Sequence, residues 1–143
     1  MSKEIREMID KVKSFKQFVN ENSDNSRNFT MYTGVSKEVW ENVWKNKNLK
    51  DRETNLTTDL NFAMDYSYNF TTGEYEDLVV EIGNIPIEAF FGYRAKNYKN
   101  DNDFKSMENF SIDKKKIILD KYELFLANLY PYNEQLTIKL IEG

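Results

Sequence analysis

The residues that could do chemistry in this chain carry carboxylates, hydroxyls, amides, amines or guanidinium groups, because the sequence has no cysteine and no histidine. This absence excludes a disulfide framework, a thiolate nucleophile, a zinc site built on Cys or His, and a histidine general base. Glu123 is the first candidate, because the apolar residues around it predict a strand over 122–127. Side chains alternate along a strand, so Glu123 lies on the same face as Phe125 and on the opposite face from Leu124. A carboxylate in that position lies either in solvent or in a cleft.

Hydroxyl groups stand at the ends of two further predicted strands. The stretch 29–35 predicts a strand with Thr33-Gly34 near its end. Thr57 and Thr58 end a second, shorter extended stretch, and Thr58 or Asp59 caps the helix that follows it. Each of these threonines could equally be an ordinary strand-end or capping residue, which are positions that Thr favours.

The remaining carboxylates do not form a known motif. Glu74, Glu76 and Asp77 cluster in sequence, as do Asp101 and Asp103, but neither group has the D-x-D-x-D-G pattern of a calcium loop. The sequence therefore predicts no metal site. It also lacks a Walker loop, G-x-G-x-x-G and G-x-S-x-G. A glycosidase-like pair of carboxylates stays open, because separation in space is not visible in a sequence.

A polar linker divides the chain into two predicted parts. Residues 1–26 comprise an amphipathic helix, which Ser2 can cap and which runs to about Glu21, and the linker 22–26. Residues 27–143 are long enough to bury a core and form the predicted main domain.

The main domain is predicted to be α+β, with no alternating strand–helix–strand units. One predicted helix begins after Ser36, a second runs from Asp59 to about Phe70, and the polar segment 93–107 is a predicted loop. The predicted strands are 29–35, 56–58, 78–82, 117–119, 122–127 and 136–141.

Four stretches in this order resemble the core of the ADP-ribosyltransferase family: 29–36, 55–63, 78–82 and 122–126. In that family a first strand ends in an L-Y-x-G turn, which Met31-Tyr32-Thr33-Gly34 resembles. A later strand ends in a Ser/Thr-Thr step that feeds a helix, and a late strand carries a glutamate followed by apolar residues. The resemblance implies split β-sheets that face each other across a cleft, with the Ser36 and Asp59 helices flanking them, and NAD as the substrate.

The resemblance also implies roles for individual residues. Glu123 would contact the nicotinamide ribose and stabilise the positive charge that grows as the glycosidic bond breaks, and Thr57 would orient it. The implied cofactor-binding residues are Tyr32, Thr33, Gly34, Thr58 and Tyr66.

Two positions depart from the family pattern. The family has Arg or His where this chain has Thr33, which can donate a hydrogen bond but carries no charge. Arginine-directed members carry a second glutamate two positions before the first, where this chain has Lys121. The pattern therefore disfavours arginine as the modified residue.

Three functional hypotheses follow. The first is an NAD-binding mono-ADP-ribosyltransferase that acts on a macromolecule, a host or phage protein. The second is the same fold without catalysis, serving as a binding or inhibitor protein, and the third is an unrelated α+β structural protein. The net charge of −4 and the absence of a long basic run argue against nucleic-acid binding. No apolar run approaches the roughly 20 residues that span a bilayer, and the N-terminus is unlike a signal peptide, so the sequence predicts a cytoplasmic protein.

Two features suggest a phage origin. Abundant Asn and Lys with only five Gly and two Pro are typical of AT-rich coding sequences, as in some phages and low-GC bacteria. Residues 13–21 also resemble N-terminal segments of proteins that are packaged into the heads of large tailed phages, which end near an apolar-x-Glu cleavage point. The resemblance implies virion packaging and cleavage after Val19-Asn20-Glu21, and the alternative is an ordinary amphipathic helix.

Overall fold

An antiparallel sheet organises the residues that the computed structural model describes, which are 28–94 and 104–143. Its strands are β1 (Asn28–Val35), β2 (Thr54–Thr57), β5 (Leu78–Pro86), β6 (Phe90–Arg94), β7 (Phe104–Ser106), β8 (Leu124–Ala127) and β9 (Thr137–Glu142). A separate hairpin consists of β3 (Tyr68–Asn69) and β4 (Glu74–Tyr75). The helices are α1 (Lys37–Val39), which continues as a π-helical turn over Trp40–Trp44, α2 (Leu60–Met64) and α3 (Ile112–Lys121), with 3-10 turns at Ile87–Ala89 and Tyr130–Gln135.

The seven strands follow the order β7-β6-β8-β2-β1-β5-β9. The junction between β1 and β2 differs from the others, since only one residue pair, Tyr32 with Thr57, joins these strands. Where two facing sheets were expected, the chain therefore forms one hydrogen-bonded sheet with a weak seam. Mixed α and β structure with a mostly antiparallel sheet agrees with the predicted α+β class.

The two faces of the sheet have different surroundings. Because alternate residues of a strand share a face, Met31, Val80 and Ile82 face one side, and they belong to the main apolar core together with Leu56 and Phe125. The opposite face carries Tyr32, Gly34 and Thr57, and α2 packs over part of it. The candidate site lies mainly on that second face and reaches Thr33 and Leu56 at the seam.

Both predicted helix starts on this side of the domain are confirmed. The Ser36 hydroxyl accepts a hydrogen bond from the Val39 N–H at 3.1 Å, and the Asp59 carboxylate accepts from the N–H groups of Asn61 and Phe62. Asp59 and not Thr58 is the cap. The predicted extent of the second helix is wrong, because α2 ends at Met64 and the chain then turns into the β3–β4 hairpin.

Residues 117–119 were predicted as a strand and lie in α3 instead. Ser111 caps this helix, since its hydroxyl accepts from the Lys114 N–H at 3.2 Å. Ile118 and Leu119 are buried, and so is Lys115, whose Nζ donates to the carbonyl oxygen of Phe90 at 2.9 Å. Its burial lowers the pKa of Lys115. The apolar run 117–119 was mistaken for a strand because three residues are too few to distinguish a strand from the buried side of a helix.

The predicted loop 93–107 is partly sheet. β6 extends to Arg94, and β7 pairs with it from Phe104 onward. Residues 95–103 and the predicted N-terminal helix and linker, 1–26, lie outside the described residues. Within the described ranges, no helix is long and apolar enough to cross a membrane.

Candidate functional site

A cavity of about 360 Å³ opens at the seam between β1 and β2. The cavity is lined by Thr33 and Gly34, which follow Tyr32 in β1, and by Asn55, Leu56 and Thr57 of β2. These strands share only the Tyr32–Thr57 pair, and the residues next to that pair on one side of it line the cavity. The volume is within the range of small-molecule sites in proteins, roughly 300–1,000 Å³.

Gly34 allows α2 to close one side of the cavity. A Cβ atom on this residue would collide with the carbonyl oxygen of Ala63, and it would lie 2.8 Å from the carbonyl carbon of Tyr66 and 2.9 Å from the Ser67 nitrogen. All three neighbours are backbone atoms, which cannot rotate away. The glycine in the Tyr32-Thr33-Gly34 motif is therefore required by close packing of two backbones.

Ser67 fixes the segment that follows α2. Its side chain is fully buried, and its hydroxyl donates to the Val35 carbonyl at 2.6 Å and accepts from the Leu78 N–H at 2.7 Å. One hydroxyl thus links the end of β1 to the beginning of β5 and satisfies two backbone groups at once. This link holds the adjacent residue Tyr66 beside the cavity.

Phe62 and Tyr66 form an aromatic wall. Their rings meet edge to face with centroids 5.1 Å apart, and both line the cavity. Tyr66 is 57% exposed, so its ring also borders the opening to solvent. Such a wall can pack against a planar heterocycle.

Arg94 is the site residue that sequence reasoning missed. It lines the cavity from the end of β6. Tyr93 pairs with Phe125, and Leu124 pairs with Thr57, so Arg94 lies at the end of a cross-strand row that continues through Leu124 and Thr57. The sequence assigned Arg94 to a loop, and no local signal indicates the pairing of β6 with β8.

Thr57 occupies the middle of this row. It is 3% exposed, and its hydroxyl oxygen accepts from the Asp59 N–H at 3.1 Å. A hydroxyl that accepts one bond can still donate its own proton. Thr57 therefore helps to start α2 and presents a donor at the cavity.

Glu123 is not one of the residues that line the cavity. It is exposed and occupies a bend immediately before β8, which begins at Leu124, two residues after the predicted start of this strand. Its neighbour Leu124 pairs with Thr57 and does line the cavity. Thr58, one residue beyond the same pair, is likewise exposed and outside the lining.

Tyr122 anchors the bend that carries Glu123. Its ring lies against that of Tyr93, with centroids 4.6 Å apart. Burial, and secondarily the neighbouring Tyr122, raise the pKa of Tyr93, so this hydroxyl stays protonated at neutral pH. The ring contact therefore joins Tyr122, which precedes Glu123, to Tyr93, which precedes Arg94.

The seam therefore brings together most of the predicted site. Tyr32, Thr33, Gly34, Thr57 and Tyr66 line one cavity, while Glu123 and Thr58 are exposed and do not line it. Hydroxyl and amide donors, a guanidinium and an aromatic wall suit a ligand with planar rings, hydroxyls and negative charge. Within 28–94 and 104–143, no group of three acidic side chains could hold a metal ion. No family model, curated protein or solved structure matches this chain.

Proposed function

We propose that this protein is an ADP-ribosyltransferase-like enzyme that binds NAD in the cavity between β1 and β2. It transfers ADP-ribose to a macromolecular target, a host or phage protein. In this proposal the seam at Tyr32–Thr57 is the split in the sheet that gives the ADP-ribosyltransferase-like fold its cleft. The observation that carries the proposal is that residues of the first two motifs line one cavity with Arg94.

Arg94 supplies the positively charged group that the first motif of this chain lacks. The family pattern has Arg or His at the position of Thr33, and the sequence alone suggested that this positive charge was lost. Arg94 lines the same cavity as Thr33, and a guanidinium has five N–H donors that suit a phosphate or a ribose hydroxyl. We therefore assign the anchoring of the NAD phosphates or ribose to Arg94, from a different strand.

The remaining roles follow the chemistry of each group. Phe62 and Tyr66 would pack against the nicotinamide ring, and the Thr57 hydroxyl would donate to the ribose or to Glu123. The reaction breaks the bond between nicotinamide and ribose, and nicotinamide leaves with the bonding electrons. A nucleophile of the target forms the new bond to the ribose carbon and gives up its proton. Glu123, whose neighbour Leu124 lines the cavity, would stabilise the positive charge on the ribose.

The first test is calorimetric titration of NAD together with an assay for nicotinamide release. We expect Glu123→Gln to reduce release by roughly 100-fold or more with little change in NAD affinity, because it removes a charge needed only as the bond breaks. Thr57→Ala should cost less. Glu134→Gln is the matched control, since Glu134 is exposed in the Tyr130–Gln135 turn, outside the cavity.

Arg94 is tested through binding. Arg94→Gln should weaken NAD binding by roughly tenfold or more, because a hydrogen bond to a charged group is lost. The control is Arg52→Gln, which removes an exposed arginine from the loop before β2. A wild-type protein that neither binds NAD nor releases nicotinamide would overturn the proposal.

The alternative is a binding or inhibitor protein that has the same fold but no catalysis. The exposed position of Glu123 favours it, since a carboxylate in water stabilises a developing charge less than a buried one does. Two results together would select this alternative. The wild-type protein would bind NAD without releasing nicotinamide, and Glu123→Gln would leave the NAD affinity unchanged.

A further inference from the structure

We propose that the β3–β4 hairpin and the turn before it bind a basic segment, rich in arginine or lysine, of a partner protein. The surface concerned is termed the hairpin surface and combines four aromatic residues with three exposed carboxylates. Its members are Tyr66, Tyr68, Phe70, Tyr75, Asp65, Glu74 and Asp77. This inference goes beyond the proposed function, because docking requires no NAD.

The hairpin surface exposes large aromatic rings next to one another. Phe70 is 90% exposed and Tyr75 is 64% exposed. The ring of Tyr68 lies between them, with centroids 4.8 Å from Phe70 and 5.0 Å from Tyr75. Single exposed apolar residues are normal in proteins, but a contiguous aromatic group indicates a contact surface.

The turn that carries Phe70 is held by hydrogen bonds. The side-chain oxygen of Asn69 accepts from the N–H groups of Thr71 at 2.9 Å and Thr72 at 3.2 Å, and its backbone oxygen accepts from the Gly73 N–H at 2.7 Å. Gly73 has φ of 77°, a left-handed conformation that glycine adopts without strain. Because the turn is already ordered, a partner pays little conformational entropy when it binds there.

The charge around these rings determines which partner fits. Residues 65–77, which carry this surface, contain four Asp and Glu residues and no Lys or Arg. On the hairpin surface itself, Asp65, Glu74 and Asp77 are exposed. Guanidinium and ammonium groups bind both to carboxylates and to the faces of aromatic rings. A negative surface repels nucleic acids and anionic membranes, so a basic protein segment is the complementary occupant.

The hairpin surface adjoins the cavity. Tyr66 belongs to both, since it lines the cavity and is more than half exposed. A partner bound through its basic segment would therefore lie next to the cavity mouth. The basic side chains serve as contacts in this proposal, and the modified residue can be of another type.

The test uses a fluorescein-labelled 12-residue peptide of alternating arginine and serine, with a glutamate–serine peptide as the negative probe. We expect the arginine peptide alone to raise its fluorescence anisotropy with the wild-type protein, without NAD. Phe70→Ser keeps the charge and should weaken binding by about two- to tenfold, and adding Tyr75→Ser should weaken it further. Tyr130→Ser is the control, since this exposed tyrosine lies outside the hairpin surface, and it should leave binding unchanged.

The other outcomes are distinct. If the Phe70 and Tyr75 variants bind as tightly as the wild type, or no more weakly than the Tyr130 variant, the peptide senses net charge only and the proposal is wrong. Sedimentation velocity checks for a second copy, and a dimer that Phe70→Ser dissociates would also overturn it. NAD titration of the same variant separates the two proposals, because Phe70 does not line the cavity and its loss should leave NAD affinity unchanged.

Discussion

Gly34 shows how a single residue determines the shape of the cavity. α2 approaches β1 so closely that the Ala63 carbonyl occupies the space of a side chain at this position. We expect Gly34→Ala to lower the free energy of unfolding by about 1–3 kcal/mol, the usual cost of overpacking. It should also displace α2 and weaken any ligand that binds in the cavity. Chemical denaturation combined with NAD titration measures both effects.

Gly83→Ala is the matched control for this variant. Its Cβ would meet the Thr137 hydroxyl, and an exposed side chain can rotate away where backbone cannot. A smaller loss of stability, with the cavity unaffected, is therefore expected at Gly83. Equal losses at both positions, or wild-type stability of Gly34→Ala, would mean that the approach of α2 is not constrained as described.

Among individual residues, the sequence predicted the helix caps better than the charged residues of the site. Ser36 and Asp59 were recognisable as caps because their side chains act on N–H groups two or three positions away. The contribution of Arg94 could not be predicted, since it depends on the pairing of β6 with β8, more than 30 residues apart in sequence. Glu123 was assigned to a strand face, but the strand begins only at Leu124.

At the scale of elements, Glu76 joins α1 to the β3–β4 hairpin. Its carboxylate accepts from the Lys37 N–H at 2.7 Å and from the Asn69 side-chain amide at 3.1 Å. The hydrogen bond from the Lys37 backbone, then that from Asn69, lowers the pKa of Glu76 below 4.5. A carboxylate with a lowered pKa stabilises the folded state above its unfolded pKa, and this stability is lost as the pH falls through the folded value.

We therefore expect Glu76→Gln to lower the melting temperature at neutral pH. The difference from wild type should shrink as the pH falls from about 4.5 and vanish once Glu76 is protonated in both states. Glu74→Gln is the control, because Glu74 is an exposed neighbour with no hydrogen bond of this kind to α1. A difference between wild type and Glu76→Gln that stays constant down to low pH would contradict this account.

Short elements were harder to predict than long ones. β1 and β5 carry enough alternating or apolar residues to be recognised, although β5 extends to Pro86, four residues beyond its predicted end. The strand predicted over 117–119 was wrong, since an isolated apolar run fits a strand or a helix equally well. α2 was predicted too long, because the buried bonds of Ser67 to β1 and β5 favour a turn over helical continuation.

For the whole molecule, composition and element types predicted the α+β class but not the sheet order. The position of β2 between β1 and β8 depends on contacts between distant segments, and sequence spacing does not encode such pairings. The resemblance to ADP-ribosyltransferases did nominate residues on β1, β2 and the turn after α2, and five of these line one cavity. The seam that opens the cavity is a property of the assembled sheet.

The domain boundary is tested by deletion. The apolar core formed by the described residues includes Met31 and Ile82, both almost fully buried, and β1 begins at Asn28, which pairs with Pro86. We therefore expect a protein lacking residues 1–26 to unfold cooperatively in heat or denaturant, with an NAD affinity like that of the full chain. A deletion of residues 1–32 is the control, because it removes most of a central strand together with Met31 and should abolish cooperative unfolding. If the shorter deletion also unfolds without a cooperative transition, residues 1–26 contribute to the core and the boundary at 26/27 is wrong.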